Sequence, residues 1–170
     1  MVSAVGITSE GLWASPIAER RSRGGLPAAS CLVVTGDAAL RSRLRMVAEM
    51  TDWTVCDAPA DADGIRSAAD REYDLVIVDI SHPCGDRVND SVELAEDVAR
   101  RPGTLLAVCS SGESIDEELW ARQLGVWAYL PEVSTGDSLV SLFHEAGRMS
   151  ARWMAQLTRS SGRQRSFVEV

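Results

Sequence analysis

An aspartate closing an unbroken apolar run is the clearest chemical signal in this chain. Tyr73-Asp74-Leu75-Val76-Ile77-Val78-Asp79 shows no helical spacing and ends abruptly in an acid. It reads as a strand buried on both faces that carries Asp79 to the carboxyl edge of a parallel sheet, where open α/β sheets place their chemistry. An acid there normally calls for cationic partners, yet all 17 basic residues are Arg and Lys is absent. A second signal is Cys109-Ser110-Ser111-Gly112, which resembles a nucleophile turn at a strand end. A working Cys or Ser needs a positioned base, and neither of the 2 His residues lies on an obvious neighbouring strand end. An α/β enzyme using Cys109 or Ser110 therefore stands as the alternative from another functional class. His82, three residues past Asp79, belongs to a loop that rims the same edge; it could pair with Asp79 or sense pH, and a solvent-facing loop histidine is the plainer reading. His144 reads as a surface residue of the last helix.

The elements that must position these residues are bounded by composition. With 170 residues, 45% hydrophobic and 25% charged, the chain suits one core with tails. Its net charge of -8 is uneven: residues 31–146 hold nine Arg against 22 acids, whereas residues 147–170 hold five Arg against Glu169 alone. The acidic body excludes a nucleic-acid role for the core. The basic tail (Arg148, Arg152, Arg159, Arg163, Arg165) suits an anionic partner or a solvated helix extension. Cys31, Cys56, Cys84 and Cys109 form no CxxC pair, so a reduced, cytoplasmic protein is expected. No apolar stretch is long enough for a membrane span, and no export signal is visible.

Along the chain, residues 1–29 read as a flexible leader rich in Gly, Ser, Ala and Pro, residues 30–146 as the folded domain, and residues 147–170 as an extension of the last helix with a basic tail. Strands are expected at Cys31–Val34, Trp53–Asp57, Tyr73–Asp79, Thr104–Cys109 and Val126–Leu130. Helices are expected at Ala38–Met50, capped by Asp37, at Asp61–Asp70, at Val88–Arg101, at Ile115–Leu124, closed by Gly125, and from about Thr135 toward Leu157, with fraying beyond. Trp127 and Tyr129 alternate along the fifth strand, which is consistent either with full burial or with one exposed aromatic set. Five strands alternating with five helices specify a doubly wound five-stranded parallel sheet in three α/β/α layers, with right-handed crossovers.

This order of elements resembles the receiver domain of response regulators, a CheY-like (flavodoxin-like) fold, over residues 30–146. The resemblance rests on Asp79-Ile80-Ser81-His82-Pro83, which matches the family's phospho-accepting Asp followed four residues later by Pro. It rests also on Ser110, at the hydroxyl position closing the fourth strand, and on Gly125-Val126-Trp127-Ala128-Tyr129-Leu130. It implies Asp79 as the phospho-acceptor position, Ser110 and Tyr129 as switch residues, and a partner- or dimer-forming surface on the fourth helix, fifth strand and last helix.

Three positions depart from that pattern. The family's two adjacent Mg²⁺-holding acids correspond to Thr35 and Gly36, and its cationic Lys corresponds to Glu132. Phosphoryl transfer to a carboxylate depends on neutralisation by a metal and a cation, and a like charge at Glu132 opposes it. The residues therefore imply an atypical, phosphorylation-independent receiver, a pseudo-receiver acting in bacterial signal transduction as a protein–protein interaction module without enzymatic activity. Its partners would be a histidine kinase, an effector or a second copy, with no membrane. The alternative within the fold is a competent phosphorelay receiver using Asp79 with Mg²⁺, in which Asp37 replaces the lost acids because the first strand runs two residues longer; Asp37 and Asp79 are then the weak metal candidates. Similar substitutions occur in receiver-like domains that precede ParA-type ATPases.

Overall fold

The computed structural model describes residues 29–58, 62–83, 88–131 and 136–164. Five strands, β1 (Ser30–Val34), β2 (Thr54–Asp57), β3 (Leu75–Asp79), β4 (Leu105–Ser110) and β5 (Ala128–Pro131), alternate with α1 (Ala38–Met50), α2 (Ala62–Ala69), α3 (Val88–Ala99), α4 (Ile115–Leu124) and α5 (Gly136–Gln164). All neighbouring strands pair in parallel, in the order β2-β1-β3-β4-β5. The leader read from residues 1–29 lies, apart from Ala29, outside the described residues, as do Cys84 and Glu132.

The apolar runs make this sheet because side chains alternate across it and both sides are covered. Cys31, Val33, Leu75, Ile77 and Ala107 join Leu40 and Leu44 of α1 and Leu139, Phe143 and Ala146 of α5 in one core. Leu32, Val34, Val76, Val78 and Val108 join Ile65 of α2, Leu94 and Val98 of α3 and, partly buried, Trp120 and Leu124 of α4 on the other face. Helix ends fall where the local chemistry places them. Asp37 caps α1 by accepting the Ala39 N–H at 2.7 Å. Gly125 closes α4 in the left-handed region at φ 76°, open to Gly at no steric cost.

Several boundaries differ from the sequence pattern. Trp53 leaves the second strand and packs edge-on against Phe143, with ring centroids 5.4 Å apart. Val126 and Trp127 precede β5 in a turn. Trp127 packs with Ala128 and Leu130 on the α1–α5 side, whereas Tyr129 joins the opposite core. The two aromatics thus do not form one exposed set. Arg41 and Arg43 are half-buried on α1, with their Nε atoms shielded from solvent. Helix α5 does not fray after Leu157 but runs on to Gln164.

A polar knot ties α5 to the amino edge of the sheet. Asp74, just before β3, accepts the Ser30 N–H at 2.8 Å and the Ser30 hydroxyl at 3.2 Å, while Ser150 of α5 donates its hydroxyl to the other carboxylate oxygen at 2.6 Å. Ser30 and Ser150 are both buried, so removing the shared acceptor strands three donors. Urea denaturation should show Ser150→Ala losing about 1–2 kcal/mol and Asp74→Ala losing more, because hydrogen bonds to a charged group contribute about 1.5–3 kcal/mol.

Candidate functional site

β3 sits at the centre of the sheet and delivers Asp79 to its carboxyl edge, in register with Cys109 of β4. The carboxylate is 2% exposed. A charge so placed requires hydrogen-bond donors, and the chain supplies them without a cation in direct hydrogen-bond contact. Oδ2 accepts the Thr35 hydroxyl at 2.7 Å. Oδ1 accepts the Ser81 and His82 backbone N–H groups at 3.0 and 3.1 Å, the first turn of the loop after β3. The His82 ring, 63% exposed, places Nδ1 3.4 Å from Oδ2, an ion pair when the imidazole is protonated. His82 is thus both solvent-facing and within reach of Asp79.

Thr35 acts as a donor to Asp79. Its hydroxyl oxygen also accepts the Asp37 N–H at 3.0 Å, and its carbonyl accepts from the Arg41 guanidinium. Gly36 meets the loop after β3. Its N–H donates to the His82 carbonyl at 2.6 Å, and a Cβ built there would lie 2.6 Å from the Pro83 carbonyl oxygen. The backbone of the loop after β3 therefore fills the space that an acidic side chain at position 36 would need.

Asp37 does not replace the missing acids. β1 stops at Val34, so the longer first strand does not occur, and one carboxylate oxygen of Asp37 caps α1. The Ala39 N–H, above all, holds the Asp37 carboxyl below its ordinary range. Among the described residues no group of three or more His, Cys, Asp or Glu is arranged to hold a metal ion. The donor set does not fit a hydrated Mg²⁺: one carboxylate near the cleft is already occupied on both oxygens and the other is turned to a helix end.

Ser110 is likewise committed. Its hydroxyl donates to the Glu117 carboxylate and accepts the Gly112 N–H at 3.2 Å. Glu117 was not anticipated as a site residue. Its signal was legible as Ser114-x-x-Glu117, capping-box spacing: the Ser114 hydroxyl accepts the Glu117 N–H at 3.3 Å, but the Glu side chain reaches Ser110 instead of closing the box. Among the described residues, the Tyr129 hydroxyl is buried without a hydrogen-bond partner. The Cys109 thiol is pushed up to about 12 by burial and then by Asp79, which leaves it protonated at neutral pH and poor as a nucleophile. His144 is exposed on α5.

The fold recurs in solved structures. A CheY-like receiver domain protein from Methanospirillum hungatei superposes with a TM-score of 0.60 at 20% identity, over 73% of this chain and 97% of that one. The fold is a CheY-like receiver fold. The chemotaxis response regulator CheY4 of Vibrio cholerae matches with a TM-score of 0.57 at 16% identity, over 69% of this chain and 98% of that one. NtrX from Brucella abortus matches with a TM-score of 0.62 at 22% identity, over 79% of this chain but 29% of its own length. No family model and no curated protein matches the sequence. Among the described residues of this receiver fold, no helix is long and apolar enough to cross a membrane.

Three outcomes follow from this geometry. Gly36→Ala must displace backbone rather than a side-chain tip, so its denaturation midpoint should fall by the equivalent of about 1–3 kcal/mol, with faster amide exchange at residues 80–82. Native-state thiol labelling read by mass spectrometry at pH 8 should modify half-exposed Cys56 well before Cys31 or Cys109, both buried and both raised above the ordinary thiol range. For the raised thiols the protonated form is favoured by folding. Their contribution is complete below the unfolded value of 9.0 and is lost as pH climbs from there toward the folded value, so stability should fall over that alkaline window.

Proposed function

We propose that this chain is a pseudo-receiver: a cytoplasmic signalling module that works by docking protein partners and does not cycle a phosphoryl group on Asp79. The observation that carries this reading is the loop backbone lying over Gly36, with Asp79 already satisfied by Thr35, Ser81 and His82. A phosphoryl group added to Asp79 would have to displace those donors inside a cleft without a preorganised metal site. Phosphoryl transfer depends on such neutralisation, and each missing charge partner costs orders of magnitude in rate.

Docking is supported by α4 and β5. Ile115 and Leu119, one turn apart on α4, are 84% and 52% exposed, beside an edge strand whose residues are only partly covered. An apolar pair next to an open strand edge suits a protein surface, either an effector or a second copy.

Incubation with Mg²⁺ and a small phosphodonor, or with beryllofluoride, distinguishes this reading from a competent phosphorelay receiver. The expected result is an unchanged intact mass and unchanged amide spectra around residues 79–83. A stable adduct mapped to Asp79 would overturn it.

A further inference from the structure

Helices α1 and α5 pack side by side on one face of the sheet, and toward its amino edge their outer side is apolar. On α1, Arg45 pairs with Asp57 of β2 and so marks the flank that faces the edge strand. Met46 and Met50, one turn apart, fall about 100° and about 140° further round at about 100° per residue, on the opposite flank, toward α5. They are 58% and 71% exposed. On α5, a Cβ at Gly147 would lie 3.8 Å from the ring of Trp53, the residue that follows α1, so Gly147 marks the flank that faces α1. Ala151 and Met154 lie within about 40° of that line, and both are exposed. None of these four side chains belongs to the core or to the partly buried residues packed on it, in contrast to Met149 and Trp153.

The charges on this face divide between the two helices. The α1 end is acidic: Glu49 and Asp52 are exposed, and the last turn holds no basic residue. Beyond Glu145, α5 is basic: Arg148 is held by Glu145, Arg152 is exposed, and no acid occurs between residues 147 and 164. Among the described residues, Glu49 and Arg152 form no ion pair. A wholly acidic or wholly basic partner would meet like charge on one helix or the other. A second copy, turned so that its α5 lies across this α1, meets opposite charge at both ends of the contact, and the same operation sets the α1 methionines against Ala151 and Met154. A two-fold contact requires a surface that carries both halves of its own complement, and this face does.

We propose that this chain forms a two-fold dimer through the α1–α5 face, in which Met46 and Met50 of each copy pack on Met154 of the other and Glu49 pairs with Arg152 across the axis. Methionine suits such a contact because its unbranched, polarisable side chain adapts to the surface it meets. The dimer leaves α4 and β5 open to another protein, and it does not depend on the state of Asp79.

Sedimentation equilibrium on the full chain, over a concentration series at low and at high salt, provides the test. The expected result is a monomer–dimer equilibrium that weakens as salt screens the Glu49–Arg152 pairs. Glu49→Arg and Arg152→Glu should each weaken it by about tenfold, since one reversal sets like charges together at both symmetric contacts. An equimolar mixture of the two variants restores opposite charges at both contacts and should regain the dimer. Met50→Glu should weaken association as well, with native circular dichroism, because the position is exposed. Monomer at every concentration, a dimer indifferent to both charge reversals, a mixture no tighter than its separate components, or a dimer abolished by Ile115→Glu on α4 would each overturn the proposal.

Discussion

A buried carboxylate must be given donors before anything else around it can settle, and in this molecule Asp79 takes three donors from two segments at once. Thr35 comes from the end of β1, and the Ser81 and His82 amides from the loop that leaves β3. The loop can donate both amides only by turning back over its own strand, and that turn brings the His82 carbonyl onto the Gly36 N–H and the Pro83 carbonyl against the Gly36 Cα. Glycine at 36 and hydroxyl at 35 are therefore one arrangement: a side chain at 36 would push the loop away and release the donors on which Asp79 depends.

The same solution is used at the other end of the strand. Asp74 and Asp79 bracket β3, and each is satisfied by a serine or threonine hydroxyl and backbone amides rather than by an ammonium group. A chain without lysine is expected to struggle with buried acids, and this one avoids the difficulty by keeping its charged pairs at the surface: Arg45 with Asp57, Arg100 with Asp97, Arg122 with Glu118. Exposed pairs of this kind contribute little to stability individually. The hydroxyl-satisfied acids are the structurally consequential ones, and they fix both edges of the central strand and, through Ser150, the seating of the last helix.

Much of the fold was legible because apolar runs and caps are local signals. Leu40, Leu44, Val47 and Ala48 were readable as the inner face of α1, Asp37 as its cap and Gly125 as the end of α4, and all of these stand in the structure. The short edge strand β5 was less readable. Val126-Trp127 has the same β-favouring character as the strand it precedes, but the Val126 amide turns back to the Ala121 carbonyl of α4. Helix α5 was underestimated for a related reason: Ser and Gly near its end lower helix propensity, yet the Arg-rich segment continues the helix begun by Leu139 and Phe143.

The sequence by itself determined the parallel α/β architecture, the strand that ends in Asp79, the uncharged Thr35-Gly36 pair after the first strand and the separation of an acidic body from a basic helix, because each is written in residue type and spacing. Only the tertiary structure decided how the surroundings of Asp79 are filled. That the Thr35 hydroxyl turns toward Asp79, that the loop backbone closes on Gly36 and that Glu117 claims Ser110 are contacts between segments distant in the chain or held together by the packed sheet. No pattern of neighbours along the sequence specifies them, since hydrogen-bond partners are selected by direction and distance after the strands have come into register.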